Sequence, residues 1–122
     1  MRQPEIMASF EKLQVYQRAI DFSYKIYRLT ENWPKTETFG LTSQLRRAAV
    51  SISLNIAEGS SRSRKDFSHF LTISRGSCYE CIPLLAIATK LKYLTNEDYK
   101  TCYTEVEALA KMINGLRNSL DL

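Results

Sequence analysis

Histidine is almost missing from this sequence. His69 is the only one, and with it goes the usual supply of general bases and metal ligands. The four glycines are scattered, so no glycine-rich phosphate loop exists, and no Glu-x-x-His pair suits a carboxylate-bridged di-iron bundle. Three cysteines are an odd number for a disulfide framework, and Cys78, Cys81 and Cys102 read as reduced thiols. No apolar run approaches the roughly 18 residues of a membrane span, and the opening MRQPEIMASF lacks the continuous apolar core of an export signal. A cytoplasmic protein with no membrane partner is the expectation. No segment alternates apolar and polar residues in the manner of a half-buried strand.

What is present fits one globular domain over residues 1–122, since 44 % hydrophobic residues are too many for a disordered chain. The charge is uneven. Residues 41–75 hold six Arg or Lys against two Asp or Glu, leaving +4, while the remaining segments hold eleven of each sign. All of the net positive charge is therefore local, which is a lead toward an anionic partner.

After a tail at 1–9 that reads as frayed, polar residues Glu11, Gln14, Arg18, Asp21, Lys25, Arg28 and Asn32 recur at intervals of three and four. That spacing predicts the solvent face of a helix over about residues 10–32, with Asp21 and Lys25 placed for an i,i+4 pair. The apolar arc between them is wide enough for two neighbours. Trp33-Pro34 ends this helix, because the residue before proline is pushed out of the helical region. A second helix is predicted over about 37–58, with a narrow polar edge of Gln44, Arg47, Ser51 and Asn55. Gly59 suits the left-handed residue at its end. Ser63 and Asp66 have the spacing of a cap for a third helix over about 64–93, and Thr95 with Asp98 marks a fourth over about 96–119.

Two residues sit awkwardly in the third helix. Gly76 costs about 1 kcal/mol against alanine, tolerable if something bulky approaches it. Pro83 leaves the Tyr79 carbonyl without its helical donor; either one long helix kinks near Pro83 or two helices meet at 82–83. The kink is preferred, because Ile82, Leu84, Leu85, Ile87 and Ala88 continue the pattern without turn residues.

Four helices joined by short loops predict an all-α, up-down-up-down four-helix bundle. A monomeric bundle needs one apolar stripe per helix. Several helices exceed that, and seven tyrosines add apolar bodies with polar tips, so self-association is expected.

Catalytic readings find little support: His69 reads as a helix-surface side chain, and the hydroxyls have no recognisable base partner. The pair Cys78-x-x-Cys81 falls mid-helix rather than at a helix start, so buried structural thiols are preferred over a redox or zinc site. Glu58 and Glu80 are placed to face each other across the bundle, each read as a buried partner for an arginine such as Arg47 rather than as a metal ligand. Arg46, Arg47, Arg62, Arg64, Lys65 and Arg75 form the basic cluster. Arg62, Arg64 and Lys65 sit together at a helix N-terminus suited to phosphate, with Arg46 as a further contact, so RNA or DNA is the candidate ligand. The alternative for this cluster is a solvated turn plus one or two paired arginines. A non-enzymatic, cofactor-free bundle is the expectation; the rivals are a protein-interaction scaffold without nucleic-acid contact and a small metal-binding or enzymatic bundle.

Several blocks carry a resemblance over nearly the full length. They are Phe10-x-x-Leu13-x-Val15-Tyr16-x-x-Ala19, the run Phe39 to Ile52 (FGLTSQLRRAAVSI), Asn55-Ile56-Ala57-Glu58-Gly59, and Gly76-Ser77-x-x-Glu80. On these the chain resembles the four-helix proteins encoded in intervening sequences of bacterial 23S ribosomal RNA genes, a family that includes the accessory variability protein of diversity-generating retroelements. The resemblance implies a homopentameric ring of up-down bundles with a positive surface for nucleic acid. In the retroelement branch it also implies a reverse-transcriptase partner, and in neither branch an enzymatic activity. It assigns Arg46, Arg47, Asn55, Glu58, Gly59, Gly76, Ser77 and Glu80 to the family signature, in structural roles. Cys81, Ile82 and Pro83 depart from it, standing where many relatives carry polar, helix-favouring residues.

Overall fold

Stretches in which apolar side chains return every three or four residues bury one stripe each when wound as helices. In the computed structural model, which describes residues 9–120, four such helices form. They are α1 (Gln14–Thr30), α2 (Leu41–Ser60), α3 (Arg64–Lys90) and α4 (Asn96–Ser119). Each packs on the next in sequence, and α1 also meets α4. This is the square of an up-down-up-down bundle. Phe22, Ile26, Leu45, Ile52, Leu71, Leu85, Leu109 and Ile113 are fully buried at its centre. Of the expected frayed tail, residues 1–8 lie outside the described residues.

Two caps predicted from the sequence form as such. The Ser63 hydroxyl accepts from the Asp66 N–H at 3.2 Å, and the Thr95 hydroxyl accepts from the Asp98 N–H at 3.0 Å. Each satisfies one of the donors that a helix start leaves open. The start of α1 differs from expectation. Ser9–Lys12 is a separate 3₁₀ turn and Leu13 is extended, at φ −70° and ψ 128°. The Phe10 ring meets the edge of Tyr16 at 5.0 Å, which fixes the turn against the helix it precedes.

The predicted start of α2 at residue 37 also moves. Lys35–Glu37 is a 3₁₀ turn, and Glu37 caps from outside, its Oε1 accepting from the Leu41 N–H at 3.2 Å. Its other oxygen accepts from the Tyr93 hydroxyl at 3.1 Å, while Tyr93 tilts against Trp33 at 5.6 Å. The α1–α2 and α3–α4 connections are thereby joined at one end of the bundle. The hydrogen bond to this carboxylate pushes the Tyr93 phenol pKa upward.

Gly59 takes no left-handed conformation; it lies inside α2, and no described glycine has positive φ. Its role is spatial, because a Cβ at this position would lie 2.6 Å from Phe70 Cβ. The left-handed residue is instead Lys92, at φ 68°. Around it the Tyr93 N–H reaches the Ala88 carbonyl at 2.9 Å and the Lys92 N–H reaches Thr89 at 3.1 Å, the closing pattern usually built on glycine. Lysine there carries the Cβ clash of the left-handed region, so Lys92→Gly should raise the unfolding free energy by about 1 kcal/mol. A urea titration showing no rise in midpoint would count against this assignment.

Pro83 lies within α3, which runs as one element from Arg64 to Lys90. Of the two arrangements, the single helix is adopted. The residue is exposed, as is Tyr79, whose carbonyl Pro83 leaves without a helical donor. Gly76 is exposed too, and a Cβ there would meet nothing within 4 Å, so the expected bulky neighbour is not supplied by this chain.

Candidate docking groove and basic end

The two arginine groups occupy different parts of the bundle. Arg62, Arg64 and Lys65 cluster at the turn between α2 and α3, as their sequence spacing requires. Arg62 is already engaged: its Nη2 lies 2.6 Å from Glu58 Oε2, and its guanidinium sits 5.0 Å from the Phe70 ring centre. Both members of this pair are about half exposed, so the pair adds at most about 1 kcal/mol. Arg64 donates to the Leu120 carbonyl at 3.1 Å, at the negative end of α4. Lys65 is exposed and has no ion pair among the described residues. Of the three cations expected to meet phosphate, one is neutralised, one is tied at a single N–H, and one is fully available.

Arg46 lies away from that end. Its Nε donates to the Thr30 hydroxyl at 2.9 Å and its guanidinium stacks over Tyr27 at 4.4 Å. Both contacts clamp α2 to α1. Thr30 can accept because its own hydroxyl proton points back to the Ile26 carbonyl at 2.8 Å. Arg47 is exposed, which overturns its assignment to a buried pair. Glu58 and Glu80 are exposed as well and do not face each other as a buried pair. The reason is angular: steps of three and four from Arg47 lead to Ser51, Asn55 and Glu58, along the outer edge of α2 rather than its core face.

That edge carries a short polar chain. Asn55 Nδ2 donates to the Ser51 carbonyl at 2.8 Å and to Ser51 Oγ at 2.9 Å, and the Ser77 hydroxyl lies 2.8 Å from Ser51 Oγ. Deeper in, the Ser74 hydroxyl donates to the Ile52 carbonyl at 2.8 Å and the Ser23 hydroxyl to Ala49 at 3.1 Å. Of the signature residues, Ser77 therefore joins α3 to α2 through Ser51, while Asn55 holds Ser51 from within α2. Beside them, Arg47 and Glu80 line a polar pocket of about 210 Å³ without coming within 4 Å of each other.

A larger concavity lies on the other side of α2, against α1. It encloses about 630 Å³ between Tyr27, Phe39, Arg46, Arg47, Val50 and Leu54. Phe39 is 97 % exposed and Leu54 61 %. Ile20 and Tyr24 are exposed too, and steps of four and three from Ile20 reach Tyr24 and Tyr27, so the three share one face of α1. No carboxylate lines this groove. Periodicity placed Val50 and Leu54 on an arc wider than a bundle needs, and that excess was the readable signal. Phe39 falls within the predicted second helix without being one of its periodic apolar positions, and it lies in the turn before α2.

Arg18, expected on the solvent face, is partly exposed but engaged: its Nη2 and Nε reach the two carboxylate oxygens of Glu105 at 2.8 and 3.2 Å, joining α1 to α4. Hydrogen bonding and charge from Glu105 raise the Arg18 pKa. The expected Asp21–Lys25 pair does not form among the described residues, as exposed pairs gain too little to fix two side chains. The three cysteines are free and buried, as expected of structural thiols. Burial pushes Cys78 up to about 12 and Cys102 up to about 11; Cys81 is raised further, mainly by burial and then by its neighbour Cys78. His69 is exposed, its ring edge-on to Phe70 at 6.0 Å.

The same architecture occurs in a crystal structure of a protein of unknown function from the S23 ribosomal protein family of Bacteroides thetaiotaomicron. It superposes with a TM-score of 0.75 over 84 % of this chain and 97 % of that one, at 24 % identity, which establishes a common fold. No curated protein matches the sequence. Residues 11–115 match the 23S rRNA-intervening sequence protein as a family. That stretch holds all four helices but for the last residues of α4, together with both arginine groups and the α1–α2 groove, and the chain belongs to the 23S rRNA-intervening sequence protein family.

Proposed function

We propose that this protein is a non-enzymatic helical bundle that works as an assembly of several copies, with the outer α1–α2 surface as an assembly face. The carrying observation is the exposure of Tyr27, Phe39 and Leu54 around one groove, with exposed Tyr24 and Ile20 one and two turns back from Tyr27 on the same face of α1. Apolar surface of this kind marks an interaction site more often than it marks a free surface. Each large side chain buried there contributes about 1.5–3 kcal/mol, so a few of them offset the entropy of association. Five is the number of copies the family resemblance implies. Light scattering tests the reading: a mass several times that of one chain is expected, and a single-chain mass at all concentrations would refute it.

A second reading is supported by the exposed Lys65 and the partly free Arg64 at the start of α3. An assembly would present this basic end several times over, so weak phosphate contacts on one chain add through effective concentration. Binding to RNA or DNA should then weaken steeply with salt. Reversing Arg62, Arg64 and Lys65 together to glutamate should abolish it while the helical circular dichroism stays unchanged. Binding that ignores both salt and the triple reversal would dismiss nucleic acid as the ligand of this end.

A further inference from the structure

The polar pocket between α2 and α3 has no part in the functions proposed above. Two helix edges build it. Gln44, Arg47, Ala48 and Ser51 lie three and four residues apart on α2, and Glu80 and Leu84 lie four apart on α3, so each set forms one stripe along the shared pocket. Its volume of about 210 Å³ falls below the range of about 300–1,000 Å³ that holds drug-sized ligands, which suits a smaller molecule.

Neither of its charged residues has a partner in the chain. Arg47 and Glu80 both line the pocket, yet neither makes a hydrogen bond or an ion pair among the described residues. Ser51 adds a donor beside Arg47. Asn55 Nδ2 donates to Ser51 Oγ at 2.9 Å, and the Ser77 proton has two acceptors in reach, Ser51 Oγ at 2.8 Å and the Ile73 carbonyl at 3.3 Å. With Ser77 donating along the shorter contact, Ser51 Oγ accepts twice and its own proton is left for an acceptor in the pocket.

We infer that this pocket binds a small free amino acid as its zwitterion, with the carboxylate on Arg47 and Ser51 and the ammonium on Glu80. A plain anion would meet the Glu80 carboxylate and a plain cation the Arg47 guanidinium, so each would lose to repulsion what it gains from attraction. A zwitterion satisfies both. The donors come from α2 and the carboxylate from α3, which gives the ligand one direction, and Ala48 with Leu84 supplies an apolar wall for a short side chain. The cleft between α1 and α4 offers no such arrangement: Asp21 and Lys25 share one helix there, and Glu105 is held by Arg18. Arg47 and Glu80 are exposed, so water weakens each contact and a Kd on the order of 1 mM is expected. This inference does not rest on self-association.

Saturation-transfer NMR on the full chain, with L-alanine, L-serine and L-valine each titrated to about 20 mM, should show saturable binding of at least one. Its N-acetyl form, which lacks the ammonium, and its amide, which lacks the carboxylate, should each bind about fivefold more weakly. Glu80→Gln should weaken the free amino acid about fivefold and leave the N-acetyl form no weaker, because that form does not use Glu80. Arg47→Gln should weaken the amino acid and spare the amide. Neither side chain has an intramolecular partner to lose, so the helical circular dichroism should stay unchanged in both variants. Arg47 also lines the α1–α2 groove and Glu80 does not, so Glu80→Gln decides. Absence of saturable binding by all three amino acids overturns the inference. So does a Glu80→Gln variant that binds the amino acid unchanged, or that weakens the amino acid and its N-acetyl form equally.

Discussion

Alanine at Gly59 should lower the unfolding free energy by about 1–3 kcal/mol, while alanine at Gly76 should raise it by about 1 kcal/mol. Both glycines lie in helices, so the local gain is the same: a methyl group removes backbone freedom from the unfolded chain. The surroundings decide the sign. At Gly59 the new Cβ would lie 2.6 Å from Phe70 Cβ and 3.0 Å from Phe67 Cδ1. Phe70 Cβ is bonded directly to the α3 backbone and cannot rotate aside, so α2 and α3 must separate at the turn that joins them. The overpacking cost exceeds the propensity gain. At Gly76 there is nothing within 4 Å to resist. Urea midpoints at dilute protein, with slopes unchanged, read both effects. If Gly59→Ala proved as stabilising as Gly76→Ala, the close approach of the two helices would be wrong.

Stability should also collapse above pH 9, and the cysteines are the cause. In the unfolded chain each thiol ionises near its ordinary value, about 8.5. In the folded chain burial holds Cys102 protonated up to about 11 and Cys78 up to about 12, with Cys81 raised further. Below pH 8 both states keep these protons, and the thiols add no pH dependence. Between pH 9 and 11 the unfolded state has lost protons that the folded state still binds, so stability falls as pH rises. The slope is about 1.4 kcal/mol per pH unit for each thiol, and three together approach the whole stability of a small domain within two units. Unfolding measured from pH 8 to 10 should show this decline, with Cys81→Ala removing about a third of the slope. An identical slope in that variant would mean the alkaline loss comes from other groups. Over the same range the native thiols should resist alkylation, since the reactive thiolate is scarce.

The helices were readable because their causes are local. Apolar residues three and four apart mark a stripe, and Ser63 with Asp66 or Thr95 with Asp98 needs only four residues to make a cap. The candidate sites were readable only in part. Arg62, Arg64 and Lys65 cluster because they are neighbours in sequence, but the pairing of Arg62 with Glu58 and its stacking on Phe70 depend on how the turn folds. Arg46 looked equally available and is instead held over Tyr27 and bonded to Thr30, sixteen residues away. The excess breadth of the α2 arc pointed to an additional surface without saying where it lay. Phe39 completed that surface from the turn before α2, where the sequence had predicted helix.

By itself, then, the sequence determined four amphipathic helices, two of their N-terminal caps, the antiparallel order that short loops enforce, and the burial of three thiols. Those outcomes follow from side-chain spacing within one or two turns, where chain geometry leaves few choices. The tertiary structure alone decided that Gly59 makes room for Phe70, that Lys92 takes the left-handed turn, and that Arg18 reaches Glu105 across 87 residues. It also decided that the concavity beside Tyr27 and the pocket beside Glu80 both border α2 at Arg47. Such contacts depend on the rotation and separation of whole helices, which many weak core contacts fix together and no short stretch of residues encodes.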